Sequence, residues 1–147
     1  MKNQLTFNLV VPNAIKACQF YQKVFDGVPG EIYEFPEKQG LNEANIIVGG
    51  VRLRLMDENV TFDCYSPKKD QIGSIWLQIV VEDVEHTLNL CKEFEATITQ
   101  EINEFMGTKH AEIQDPFGYT WTINQVIKEV SFEERYQFYQ EFHENLN

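Results

Sequence analysis

The chain is short of positive charge, with 12 Lys and Arg against 23 Asp and Glu, a formal net charge of -11. Such a surface repels nucleic acid and anionic membranes, so neither is expected as a partner. No apolar run approaches the length of a membrane span, and no basic-then-apolar leader opens the chain. A cytoplasmic location is therefore expected. Cysteine is scarce: Cys18, Cys64 and Cys91 are odd in number and far apart, which fits reduced thiols rather than a disulfide framework or a metal knuckle. What the 147 residues do hold is 43% apolar and 13% aromatic content, enough for the core of one domain, expected to run over residues 1–147.

The order of patterns suggests one unit used twice. Leu5 to Val11 alternates, Asn13 is a candidate N-cap, and Ala14, Ala17, Cys18, Tyr21, Val24 and Phe25 carry helical spacing. Glu31 to Phe35 alternates briefly, and Gly49-Gly50 joins Ala44–Val48 to Val51–Met56 as a hairpin. Residues 57–74 lose periodicity and read as a connection. The pattern then returns as a strand over Ile75–Val81, an N-cap at Asp83, a helical stripe from Val84 to Phe94, a strand from Ala96 to about Gln100, and a hairpin over Lys109–Asn124. A shift of 70 residues superposes the first strand and helix on their second copies, and a shift of 68 superposes Leu53-Arg54-Leu55 on Trp121-Thr122-Ile123. Two βαβββ modules, about 5–56 and 75–126, account for both shifts.

The closing hairpin turns at Asp115-Pro116-Phe117-Gly118, where Pro116 fixes φ, Asp115 can accept from backbone donors beyond it, and Gly118 suits a positive φ. Beyond it, Ser131-Phe132-Glu133-Glu134 forms a capping-box sequence that opens a helix over about 131–146. Phe132, Tyr136, Tyr139, Phe142 and Leu146 stripe that helix, which either packs on its own domain or contributes to a dimer contact.

The doubled unit, the FYQKVF of Phe20 to Phe25 and the DPFGYTWTI of Asp115 to Ile123 together resemble the vicinal oxygen chelate superfamily. That superfamily contains glyoxalase I, bleomycin and fosfomycin resistance proteins and extradiol dioxygenases; the two motifs look most like its PhnB-like branch. The resemblance covers about residues 5–126. It implies an α+β fold in which two βαβββ modules form curved mixed sheets around a cavity, with the C-terminal helix as an addition. It also implies four cavity-facing positions that hold His, Glu or Gln in metal-using members. Here those positions fall on Thr6, Arg54, Trp76 and Thr122, none a usual ligand, so no cofactor and no bound metal are expected.

Strand alternation places further candidates on the same concave faces: Thr6 and Asn8; Arg52, Arg54 and Met56; Trp76 and Gln78; and Thr120 and Thr122. His110 and Glu112, two apart on one strand, share a face, but no third metal ligand accompanies them. This mixed lining suits a small or flat organic ligand with an acidic or carbonyl group, held by Arg and stacked on Trp76. The bulk acidity, in contrast, favours cationic ligands. Two classes of function follow: a metal-free binding protein of the resistance type, expected as a homodimer, or a divalent-metal lyase, isomerase or dioxygenase like its relatives. A metal-free acid-base enzyme using Glu112 with His110 lacks a defensible nucleophile and base pair.

Overall fold

The computed structural model describes residues 2–68 and 73–146. In chain order the elements are β1 (Thr6–Val11), α1 (Ala14–Phe25), β2 (Val28–Tyr33), β3 (Glu43–Val48), β4 (Val51–Asp57), a single 3-10 turn (Val60–Phe62), β5 (Leu77–Val80), α2 (Val84–Glu93), β6 (Thr97–Phe105), β7 (Thr108–Gln114), β8 (Thr120–Val126) and α3 (Phe132–Asn145). They form two four-stranded mixed sheets, β1-β4-β3-β2 and β5-β8-β7-β6, in which β1 runs parallel to β4 and β5 parallel to β8. This is the expected α+β architecture, with the C-terminal helix present.

The two shifts read from the sequence recur in the geometry. Leu9 lies opposite Leu55 as Ile79 lies opposite Ile123, and Asn8 opposite Arg54 as Gln78 opposite Thr122. The start of each module helix repeats the relation. Asp57, the last residue of β4, accepts from the Ala14 backbone N–H at 2.7 Å, and Gln125, its counterpart in β8, accepts from that of Val84 at 3.0 Å. One of the orphan N–H groups of each helix is thus satisfied by the neighbouring strand. The Asn13, Asp83 and Ser131 side chains cap α1, α2 and α3 as expected.

Three strands depart most from the sequence reading. β2 begins at Val28 rather than Glu31, because Val28 and Pro29 already pair with Ile47 and Ile46. β2 is an edge strand with an irregular register after Pro29, where a proline without a donor is tolerated. β5 begins at Leu77, so Ile75 and Trp76 precede the ladder. β6 runs on to Phe105, since β7 starts at Thr108 and pairs along its full length. Within the connection, residues 69–72 lie outside the described residues; before them stand the 3-10 turn and a bridge between Asn59 and Cys64. Leu5 and Phe7 are exposed, and the buried part of β1 begins at Leu9.

The core is continuous from one module into the other through α1. Its Phe20, Tyr21 and Phe25 pack on Phe117 and Trp121 of the second module, with Phe25 and Trp121 centroids 4.6 Å apart. Within this cluster Asp115 is almost wholly buried and accepts four hydrogen bonds: from Tyr21 Oη (2.5 Å), Trp121 Nε1 (2.9 Å), and the backbone N–H groups of Phe117 (2.9 Å) and Tyr119 (3.0 Å). Gly118 completes the turn at φ 100, and a Cβ there would stand 2.8 Å from the Pro67 carbonyl oxygen. Tyr119 adds a second tie, donating its hydroxyl to the Val10 carbonyl at 2.9 Å.

Burial raises the pKa of Asp115, and the four donors oppose that rise. Burial and the neighbouring carboxylate push Tyr21 well above the usual tyrosine range, and burial pushes Tyr119 up to about 12. For a raised pKa, the stabilisation is complete below the unfolded-state value and lost as pH climbs through the folded one. The tyrosine contribution is therefore whole below about pH 10 and disappears above it. Urea midpoints followed between pH 7 and 11 should fall above pH 10 more steeply in the native chain than in Tyr21→Phe; equal slopes would remove Tyr21 from this role. Asp115→Ala, which leaves buried donors without an acceptor, should cost about 3–5 kcal/mol of folding stability in equilibrium denaturation.

Candidate functional site

Each sheet turns one face to the helices and the other outward. On the first sheet the outward face carries Thr6, Asn8 and Val10 of β1, which pair with Arg52, Arg54 and Met56 of β4, and these in turn with Ile47, Asn45 and Glu43 of β3. Thr6, Asn8 and Arg52 are exposed, and Arg54 and Met56 half-buried. On the second sheet Gln78 pairs with Thr122, Glu112 with Thr122, Gln114 with Thr120 and His110 with Asn124. Gln78 is exposed; His110, Glu112, Thr120 and Thr122 are half-buried. The strand alternation that buries Leu53, Leu55, Ala111, Ile113, Trp121 and Ile123 against the helices dictates this display.

The outward faces have their own internal chemistry. Arg54 donates through Nε (2.9 Å) and Nη2 (2.5 Å) to Glu43 Oε1, and Arg52 Nη2 donates to Asn45 Oδ1 at 3.3 Å. The bond to Glu43 raises the already high pKa of Arg54. Glu112 accepts from Thr99 Oγ1 at 2.8 Å, and His110 Nδ1 lies 2.9 Å from Asn124 Oδ1. Among the described residues, every one of these bonds stays within its own module.

The structure thus gathers Thr6, Asn8, Arg52, Arg54 and Met56 on one face and Gln78, His110, Glu112, Thr120 and Thr122 on the other. Trp76 is 63% exposed and stands one residue before β5, outside the paired ladder. Glu43 and Asn45 did not figure among the sequence candidates. The Gly49-Gly50 hairpin carried the signal for them, because a two-residue turn between Val48 and Val51 fixes Asn45 opposite Arg54. A cleft of about 340 Å³ lies elsewhere, at the seam where Phe7, Val51 and Leu53 of the first module meet Leu77, Ile79 and Trp121 of the second; Gln78 is the one candidate that reaches it.

The donor chemistry at Thr6, Arg54, Trp76 and Thr122 does not fit a divalent ion. A guanidinium repels it, indole offers no acceptor, and threonine hydroxyls are weak neutral donors. Moreover, Arg54 is held in place by Glu43, the nearest carboxylate, which it neutralises. Among the described residues, no group of three His, Cys, Asp or Glu side chains is placed to hold a metal ion, and no helix is long and apolar enough to cross a membrane. Two of the three thiols, Cys18 and Cys91, are buried, and burial pushes Cys91 up to about 12, whereas Cys64 is half-buried.

With this geometry in view, a family model supplies the family. Residues 3–123 match the model of the glyoxalase/bleomycin resistance protein/dioxygenase superfamily, and the chain belongs to that superfamily. It is 29% identical over 136 residues to the uncharacterized protein Mb0911c of Mycobacterium bovis, covering 88% of each. Among solved structures it is similar to the fosfomycin resistance protein FosX of Listeria monocytogenes, in a complex with Mn(II) and sulfate: TM-score 0.66 at 13% identity, over 95% of this chain and 98% of that one. It is also similar to a PhnB protein of Bacillus cereus, with TM-score 0.63 at 17% identity over 84% of this chain and all of that one. At such identities these two likenesses speak to fold alone.

The Arg54–Glu43 pair is partly exposed, and exposed ion pairs stabilise little. Arg54→Ala and Glu43→Ala should each change folding stability by less than about 1 kcal/mol in urea denaturation. A larger loss would make the pair a structural element rather than part of a binding face.

Proposed function

We propose that this chain is a PhnB-like binding protein which takes up a small organic molecule on its outward sheet faces without a catalytic divalent metal. The observation that supports the reading is the engagement of Arg54 by Glu43, at one of the four positions, Thr6, Arg54, Trp76 and Thr122, to which the resemblance assigns metal ligands. A flat molecule with a carbonyl or carboxylate group suits the lining. Among the described residues Arg52 makes a single 3.3 Å bond, Asn8 and Thr6 stand beside it, and Trp76 offers an exposed aromatic surface. Residues 5–56 and 75–126 act together as one domain, and the protein works in the cytoplasm as a homodimer. Support for the dimer comes from the faces themselves, which are open in a single chain and would need a second surface to enclose a ligand.

Thermal-shift measurements against a panel of aromatic carboxylates, α-ketoacids and cationic aromatics test this reading. At least one acidic or carbonyl compound should raise the melting temperature, and Arg52→Ala with Trp76→Ala should abolish the shift while leaving the unliganded melting temperature within a few degrees. A panel without any stabilising compound, or one whose only stabilising members are cationic, would count against it.

A second reading, a divalent-metal lyase, isomerase or dioxygenase, draws on one observation: the similar FosX structure holds Mn(II). Calorimetric titration with Mn(II) distinguishes the two. Stoichiometric binding tighter than about 10 μM, worth roughly 7 kcal/mol, would favour the enzyme.

A further inference from the structure

Among the described residues, α3 is the helix with no buried residue, and its one aromatic tie to the rest of the chain is Phe138 on Phe105, with centroids 5.1 Å apart. At about 100° per residue, Phe132, Tyr136, Tyr139, His143 and Leu146 fall on a single stripe, whereas Phe138 points about 120° away from its centre. The flank that anchors the helix is therefore not the flank that carries the aromatic stripe. Phe132, Tyr136, Tyr139, Phe142 and Leu146 remain 73%, 54%, 42%, 49% and 68% exposed.

We infer that this stripe is a docking surface for the α3 of a second copy of the chain, paired antiparallel about a two-fold axis midway between Tyr136 and Tyr139. The inference rests on the homodimer proposed above and names the surface that makes it. Two observations select the occupant. The first is area: with about 200 Å² per aromatic side chain, the exposed stripe offers about 500 Å². Two copies would then bury about 1,000 Å² from these side chains alone, the threshold for a specific interface.

The second is charge. The chain is strongly acidic, so two copies repel unless their contact surface avoids the acids. On α3, Glu134, Glu141 and Glu144 lie on the side away from the stripe. The stripe has the 3-4 spacing of a coiled-coil seam, and in an antiparallel pair its flanking positions meet their own kind. Arg135 of one copy then lies against Phe142 of the other, a cation–π arrangement, and Glu133 against Gln140. No like charges are opposed, which makes the face self-complementary, as a two-fold contact requires.

Sedimentation velocity on the full chain and on Tyr136→Glu/Tyr139→Glu tests the inference. The native chain should sediment as a dimer, and the variant, checked by circular dichroism to be folded, as a monomer, its dissociation constant raised at least about 100-fold by carboxylates placed in the seam. A native dimer that survives the substitution overturns the α3 interface and leaves the homodimer standing; a native chain that is monomeric at all concentrations overturns both. Tyr136→Cys/Tyr139→Cys in a Cys64→Ser background supplies a second readout. Mild oxidation should link position 136 of one copy to position 139 of the other, and failure to link would place the two-fold axis elsewhere.

Discussion

The buried carboxylate of Asp115 is the interaction on which the arrangement of the two modules depends. An uncompensated buried carboxylate costs several kcal/mol, and four donors converge to offset it. Two of these donors belong to its own turn, one to β8, and one, Tyr21, to a helix 94 residues earlier in the chain. The same carboxylate therefore shapes the closing hairpin and clamps α1 of the first module onto the second. Around it Phe20, Phe25, Phe117 and Trp121 exclude water, which strengthens each hydrogen bond.

That clamp has a consequence for function. Since α1 lies between its own sheet and the hairpin of the second module, both sheets spend their apolar faces on the helices. Their polar faces are left outward, where Arg52, Arg54 and Asn8 stand on one sheet and Gln78, His110 and Glu112 on the other. The pseudo-symmetry, visible in Asp57 and Gln125 at the two helix starts, belongs to the scaffold. The faces have diverged: guanidinium and carboxylate pair on the first, amide, imidazole and hydroxyl groups on the second. Function in this superfamily is carried by such side chains on a shared fold.

Much of the scaffold could be read from local signals. Asn13, Asp83 and Ser131 cap helices because each has its first apolar stripe directly behind it, and the shifts of 70 and 68 reappear in the strand registers. Boundaries such as Trp76 could not be read, because alternation persists beyond the last residue that finds a ladder partner. The Tyr21–Asp115 bond was equally invisible, since nothing near either residue indicates a partner in the other module. On the outward faces, alternation placed Arg52, Arg54 and Thr122 on their side of the strand. Glu43 needed the register of the Gly49-Gly50 hairpin, which determines what stands beside Arg54. The terminal helix was legible as a helix, while its freedom from the rest of the chain was not, because a stripe of aromatics looks the same whether it faces a core or a partner.

We propose that this member of the superfamily keeps the fold and carries an organic-binding face where its metal-using relatives place their ligands. Native mass spectrometry of the chain purified without chelator bears on it most directly. The account predicts a mass with no stoichiometric divalent ion, and an organic adduct, where one co-purifies, that is lost in Arg52→Ala/Trp76→Ala. One divalent ion per chain, retained in that variant and lost on substitution of His110 or Glu112, would contradict it.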